Sequence, residues 1–490
     1  NLSSPIGTLY RLSNGPNNSA VTGLQASVWA VKHVAFTGGS ASPVGSAWAF
    51  SDVALNPNAM FDIRAMGKQL TFSAADLANP ADLPRLIQVQ GGTMVQKLIS
   101  YAEEAGRDLI AMGGNCGQTV AGAVATGTHG GFIGRPGFPD MVRAIHLVGE
   151  DGKRHWIERP SRPVLSAATK AAWVNAGHGV HDQDELFFNH AVVSLGAFGL
   201  VYSLTLDTLP MYWVHVHREA AAFDDQIDSL AFDRSFGAQP PLDYSVVVNP
   251  FAMSLENGKW RGGPGACVPT RIDAAPPETV MDPPGSNLQL NDQDLAALLA
   301  QVASVAQPLV PPLVGQLMNS MYGLRDVKGP MSVSYPLALT HAPTVGMEIG
   351  VPGPLARSVF GRILSYVQGS AQKLPGVIAI RQTVRSQATL SLAQWDPTTT
   401  FEFGCLKVKG TEELLGGLLD QLEQQGVPFT VHLGQLHGKN ADGTPWLTAQ
   451  RLKNMFGAGN VAAWVAARQT TCPTGKVFSN ARTRALGLTS

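Results

Sequence analysis

Between Met112 and Gly131 the chain reads MGGNCGQTVAGAVATGTHGG, and almost every position is Gly, Ala, Thr or Val. Such a run leaves backbone N–H groups uncovered, because no bulky side chain shields them and glycine adopts positive φ without strain. It can therefore approach a phosphate closely, with Thr119, Thr126 and Thr128 adding hydroxyl donors. A tightly packed helix crossing has the same composition, so composition alone does not choose between the two. The common nucleotide motifs are missing. There is no GxxxxGK[ST] and no GxGxxG at a βαβ turn with an acid about twenty residues further on, which removes support for a P-loop or a Rossmann unit. No GxSxG elbow occurs either, so acyl hydrolysis has no sequence basis.

The rest of the chain must supply more than one core, because 490 residues exceed what a single core accommodates. Charged residues make up 14% against 44% hydrophobic, the balance of a well-buried globular enzyme. A net charge of -1 without a basic run argues against nucleic acid or an anionic membrane as a partner. No apolar stretch reaches the roughly 18 residues that a membrane-spanning helix needs. Cys116, Cys267, Cys405 and Cys472 lie far apart without CxxC spacing, so they are expected as reduced, buried residues rather than zinc ligands or disulfides. The chain begins at Asn1, shows no signal peptide, and is expected in the cytoplasm.

Periodicity predicts mixed short elements as far as about residue 207. A helix over 22–36 carries Leu24, Val28, Val31 and Ala35 at helical spacing and stops at Gly38-Gly39. Strands are expected at 61–66, 70–74, 86–90 and 108–111, and a hairpin at 141–158 turns on Asp151-Gly152. Thr93 with Gln96, and Asp182 with Glu185, read as capping boxes. Residues 200–206 alternate like a half-buried strand. Further on, a Pro-rich loop at 274–286 is expected to be disordered. Helices are expected at 292–306 and 354–369, and strands at 346–351 and 377–384.

Four segments carry a resemblance. GQTVAGAVATGTHGG (117–131) closely resembles the second FAD loop of the sugar-lactone and alditol oxidases within the vanillyl-alcohol-oxidase family. PVGSAWAFSDVA (43–54) resembles that family's first pyrophosphate loop, VVSLGAFGLVYSLTL (192–206) its third flavin-holding element, and CPTGKVFSNARTRALGL (472–488) its closing signature. The resemblance implies an α+β fold: a PCMH-type FAD-binding domain of two subdomains (1–207), a cap domain with a large antiparallel sheet (208–445), and a C-terminal segment (446–490) returning to the FAD domain. It also implies which residues line the cofactor. Gly45, Ser46, Ala47, Trp48 and Ser51 would flank one side of the pyrophosphate, and Gly114, Gly117, Gln118, Thr119, Gly122, Thr126, Thr128, His129 and Gly130 the other. Gly196, Gly199 and Val201 would run along the flavin and adenine, with Asn480 contributing from the closing signature. His129 equally reads as a buried histidine bonded to backbone.

Flavin-linked alcohol oxidation needs a group that takes the hydroxyl proton or stabilises the forming alkoxide. MEIGVP (347–352) resembles the family's E-Y-x-V-P strand, whose glutamate faces the active site. Glu348 between Met347 and Ile349 is expected to be desolvated, with its pKa raised as suits a base; a solvent-facing strand glutamate is the alternative. Arg381 resembles a family arginine that holds substrate oxygens or the flavin N1 region, with Arg385 as its competitor. TVHLGQ (430–435) resembles the H-W-G-K segment, with Leu433 for tryptophan and Gln435 for lysine. His432 there would be a base or hydrogen-bond donor, or else a surface histidine. The apolar run 307–322 is either core or the lining of a channel for a less polar alcohol.

The implied function is oxidation of a CH–OH group on a polyol, sugar lactone or less polar alcohol, with O2 or another acceptor taking the electrons. Small residues at Ala121, Gly122, Ala123 and Ala125 favour an oxidase. FAD is expected to be non-covalent, because Trp48 stands at the family's flavin-linked histidine and indole is a poor nucleophile; Cys116 is the reserve attachment point. A flavin-binding protein with degraded chemistry is the alternative, as is an α/β protein without flavin. No metal site is expected.

Overall fold

The computed structural model describes residues 5–278, 307–334 and 344–490; the helix expected at 292–306 and the end of the Pro-rich loop lie outside them. Among the described residues, three sheets organise the molecule. A small parallel sheet places Ala59–Ala65 between Thr8–Ser13 and Ser42–Val44. A seven-stranded sheet follows, with Leu200–Pro210 near its middle, pairing antiparallel with Leu86–Gln90, Arg107–Leu109 and Val142–Val148. A ten-stranded antiparallel sheet is built from strands between Trp213 and Val431.

Helix Ala20–Phe36 forms as expected, but its inward face is one residue off the predicted stripe. Gly23, Ser27, Ala30, Val31 and Val34 are buried, whereas Leu24 and Val28 are half-buried and Ala35 is exposed. The small residues win because the helix sits close: a Cβ on Gly23 would lie 2.3 Å from Asn14 Oδ1. Ser27, buried there, returns its hydroxyl to Gly23 O.

Both capping boxes are corrected. Helix Val95–Glu104 starts after Met94, with no side-chain cap. Its first N–H groups, on Val95 and Gln96, donate to Gln118 O and Cys116 O of the glycine-rich stretch instead. Backbone from a distant loop thus does the work that a threonine hydroxyl would do locally. Helix Glu185–Val192 is capped by Asp184, while Asp182 binds Lys170. The strand expected over 70–74 ends at Leu70. Leu200–Pro210 is covered on both faces for most of its length, as its near-central place in a packed sheet requires.

Candidate active site

Three segments from the first two hundred residues converge on one cavity of about 470 Å³, and the ten-stranded sheet contributes the rest of its wall. The first segment turns at Ala47, whose φ of 57° is left-handed, and Ser46 donates its hydroxyl to Gly117 O. Gly45 presses on Thr119 so tightly that a Cβ would lie 2.0 Å from Thr119 Oγ1. The second segment contains helix Val120–Ala125, then turns at Gly127 (φ 81°) to bring Thr128 and His129 to the wall. The third passes Leu195, Gly196 (φ 74°) and Gly199 (φ 140°), conformations that favour glycine at the latter two.

Whether these walls suit a dinucleotide can be read from the glycines. A Cβ built on Gly114 meets nothing within 4 Å, so protein packing does not require that glycine, yet it lines the cavity. Gly122 has only Thr119 Oγ1 nearby, at 3.1 Å. The side chain amide oxygen of Gln118 is buried there without a hydrogen-bond partner. Open backbone and a waiting acceptor fit a bound FAD.

Gly45, Ser46, Ala47, Trp48, Gly114, Gln118, Thr119, Gly122, Thr126, Thr128, His129, Gly130, Gly196, Gly199 and Val201 all line the cavity. Three expected contacts do not. Ser51 gives its hydroxyl to Leu433 O, and Gly117 serves as the acceptor for Ser46. Asn480 is spent on scaffolding: it caps helix Ala481–Ala485 and donates to Ser42 Oγ and Val53 O.

The reacting corner lies where the second segment meets the ten-stranded sheet. Glu348 sits on Thr344–Pro352, directly opposite Glu402 on Thr398–Leu406. Both face the cavity with Arg381 of strand Gly376–Thr383. Glu348 is 3% exposed; its Oε2 meets His129 Nε2 at 3.2 Å, and its Oε1 stands 3.5 Å from Arg381 Nη1 without a hydrogen bond. Arg381 gives its short bond, 2.6 Å, to Glu402 Oε2. Gln435 donates to Glu402 Oε1 at 3.4 Å and leaves its own amide oxygen unsatisfied.

The electrostatics reverse one expectation. Burial pushes the Glu348 carboxyl up, but the charge and hydrogen bond of His129, with Arg381 behind them, outweigh it and hold it well below 4.5. Burial likewise lowers His129, and Glu348 more than compensates, raising it above 6.5. His129 is bonded to backbone, its Nδ1 donating to Gly130 O at 3.2 Å, and through Nε2 it is also the partner of Glu348. His432 differs. Burial drops it to about 4, so it is neutral, and its Nδ1 accepts the Gly434 N–H at 3.2 Å. The ring proton then sits on Nε2, which makes His432 a donor rather than a base.

Glu402, Asp243 and Arg218 also line the cavity and were not expected, whereas Tyr322, with Leu317 and Met318, comes from the run 307–322 read as core or channel lining. Glu402 repeats the Glu348 pattern, a lone acid between Phe401 and Phe403, and could have been found by it. Asp243 has no such signal; burial raises its carboxyl against the backbone of Gly131.

The fold is that of PCMH-type FAD-binding proteins, and the cradle fits that cofactor. Among solved structures, a solvent-stable cholesterol oxidase superposes with a TM-score of 0.71 at 14% identity, covering 98% of this chain and 96% of that one. The cholesterol oxidase from B. sterolicum gives a TM-score of 0.67 at 12% identity over 94% and 92% of the two chains. In sequence, L-gulono-1,4-lactone dehydrogenase of Mycobacterium tuberculosis is 24% identical over 71% of this chain and 70% of its own. Alditol oxidase of a Streptomyces species is 32% identical over 27% of this chain and 26% of its own. No protein-family model matches the chain.

Proposed function

We propose that the protein is an FAD-dependent oxidase of CH–OH groups, with residues 1–207 holding the cofactor, 208–445 forming the cap and 446–490 bracing the cradle. The observation that carries this reading is Glu348: one oxygen is fixed on His129 while the other, without a hydrogen bond, stands at the cavity beside the glycine cradle. FAD, when bound, supplies the two-electron acceptor. His432 Nε2 donates to the substrate oxygen, and Glu348 Oε1 receives its proton. A carboxylate of low pKa is base enough here, because a hydroxyl becomes strongly acidic as its carbon turns into a carbonyl. Arg381 orients Glu348 and Glu402, and Gln435 offers its amide oxygen to a substrate donor.

Ala121, Gly122, Ala123 and Ala125 all line the cavity, and their small side chains leave room for O2. Trp48 lines it as well, and His33 is exposed on the outer helix, stacked on Trp29. Cys116 is a buried thiol raised above 9.0 by desolvation, a poor nucleophile. These features support a non-covalent FAD. The substrate is a polyol, a sugar lactone or a less polar alcohol, and the reacting corner is equipped for any of them. The test is an anaerobic reduction screen of the yellow holoprotein over polyols, lactones, sterols and phenolic alcohols. Bleaching of the flavin by one class supports the reading. Colourless protein that takes up no FAD, or a flavin that no alcohol bleaches, overturns it.

A further inference from the structure

The register of the ten-stranded sheet extends the reacting corner sideways. Strand Asp243–Val248 pairs with Gly376–Thr383 through Val246 and Ile380. One residue further along, the same register sets Ser245 beside Arg381. Ser245 pairs in turn with Thr270 on Lys259–Ala275. Residues directly opposite across antiparallel strands share one face, and Arg381, Ser245 and Thr270 all line the cavity. Neighbouring strands lie about 4.8 Å apart, so the two hydroxyl-bearing residues stand roughly 5 and 10 Å beyond the strand of Arg381. Val247 borders this row on one side, and Ile272 with Asp243 on the other.

The two hydroxyls are idle. Among the described residues neither Ser245 nor Thr270 gives or takes a side-chain hydrogen bond. Other hydroxyls of the cavity wall are committed: those of Ser46, Thr126 and Ser334 donate to the carbonyls of Gly117, Gly122 and Met331. Thr400, opposite Arg381 on its other flank, also lacks a partner, but its hydroxyl is sealed inside the protein. The charges near the row are matched already, Arg381 with Glu402 and Glu348 with His129. Arg218, next along the row, donates to Gly323 O. What the row lacks is a neutral partner that both donates and accepts, and a hydroxyl is such a group.

We infer that Ser245 and Thr270 determine specificity by receiving a second hydroxyl of the substrate, carried a few bonds away from the carbinol at Glu348. The placement of the carbinol rests on the proposed alcohol oxidation. The discrimination follows from the idle hydroxyls: a ligand with a methyl in place of that second hydroxyl enters the cavity but strips water from two polar groups and leaves them unpaired.

The experiment is calorimetric titration of the dithionite-reduced holoprotein, which cannot turn over. The ligands are hexane-1,6-diol and heptan-1-ol, the latter with a methyl where the diol has its far hydroxyl. Ser245→Ala and Thr270→Val are each expected to weaken the diol by about fivefold and to leave the alkanol within about twofold. Both variants should keep their FAD content and thermal stability, because neither hydroxyl holds another part of the protein. Equal weakening of both ligands, no change in either, or failure of the parent protein to bind the diol overturns the inference. Loss of FAD from the variants overturns it too, and assigns the hydroxyls to the cofactor instead. Bleaching of the oxidised flavin by alcohols is read separately, so alcohol oxidation can fail while the diol preference stands, and the reverse.

Discussion

Glu348 and His129 touch across the seam between the ten-stranded sheet and the second glycine segment, Oε2 to Nε2 at 3.2 Å. Each sets the other's charge, and each comes from a different part of the fold. Removing one partner leaves the other buried and uncompensated.

Glu348→Gln should retain its FAD and slow flavin reduction by about two to four orders of magnitude. Anaerobic stopped-flow absorbance measures it. An unchanged rate would take Glu348 out of the proton path.

The pH profile follows from the same pair. The Glu348 carboxyl is held below its ordinary value, so its contribution to stability is present above that value and is lost only as pH falls through the depressed pKa. His129 is raised, so its share is present in acid and lost as pH rises through the raised pKa. Reduction should therefore stay level as pH drops through the ordinary carboxylate range, while thermal stability should decline on the alkaline side of 6.5. In His129→Gln the alkaline decline should vanish and an acid limb should appear. A wild-type acid limb at about pH 4–5 that persists in His432→Gln would contradict the ion pair.

Two glycines should part company. Gly130→Ala puts a Cβ 2.0 Å from the backbone oxygen of Met112, which cannot step aside, and should cost about 1–3 kcal/mol. Gly114→Ala meets nothing within 4 Å, so thermal unfolding of the apoprotein should be unchanged while FAD affinity falls. Calorimetry of the apoproteins and FAD titration read both. A Gly114→Ala variant that binds FAD normally would remove that glycine from the cofactor wall.

Acid precipitation should release the flavin to the supernatant and leave a colourless pellet. Fluorescence that stays with the denatured chain would show a covalent bond, and its loss in Cys116→Ser would locate it.

Much of this was legible because it depends on backbone. The glycine run of 112–131 and the strand around Glu348 show in residue type and spacing, while the first loop was placed by resemblance and its left-handed turn at Ala47 was not foreseen. What escaped depends on partners distant in sequence. The sign of the Glu348 shift needed His129, 219 residues away, and no local pattern reports that. The caps of Val95–Glu104 were misread for the same reason, since their acceptors lie on another segment.

Asn480 fastens Ser42 and Val53 across sequence separations of 438 and 427. Beside it, Glu150 gathers the N–H groups of Thr474, Gly475 and Lys476. Loop closures of that span come last, because their entropy must be met before any contact rewards it. On a ribosome the order is stricter still: Ser42, just ahead of the turn at Ala47, is translated 438 residues before Asn480, its clasp. That turn therefore stays unbraced while everything between is made, and a firm grip on the cofactor has to await the arrival of the clasp.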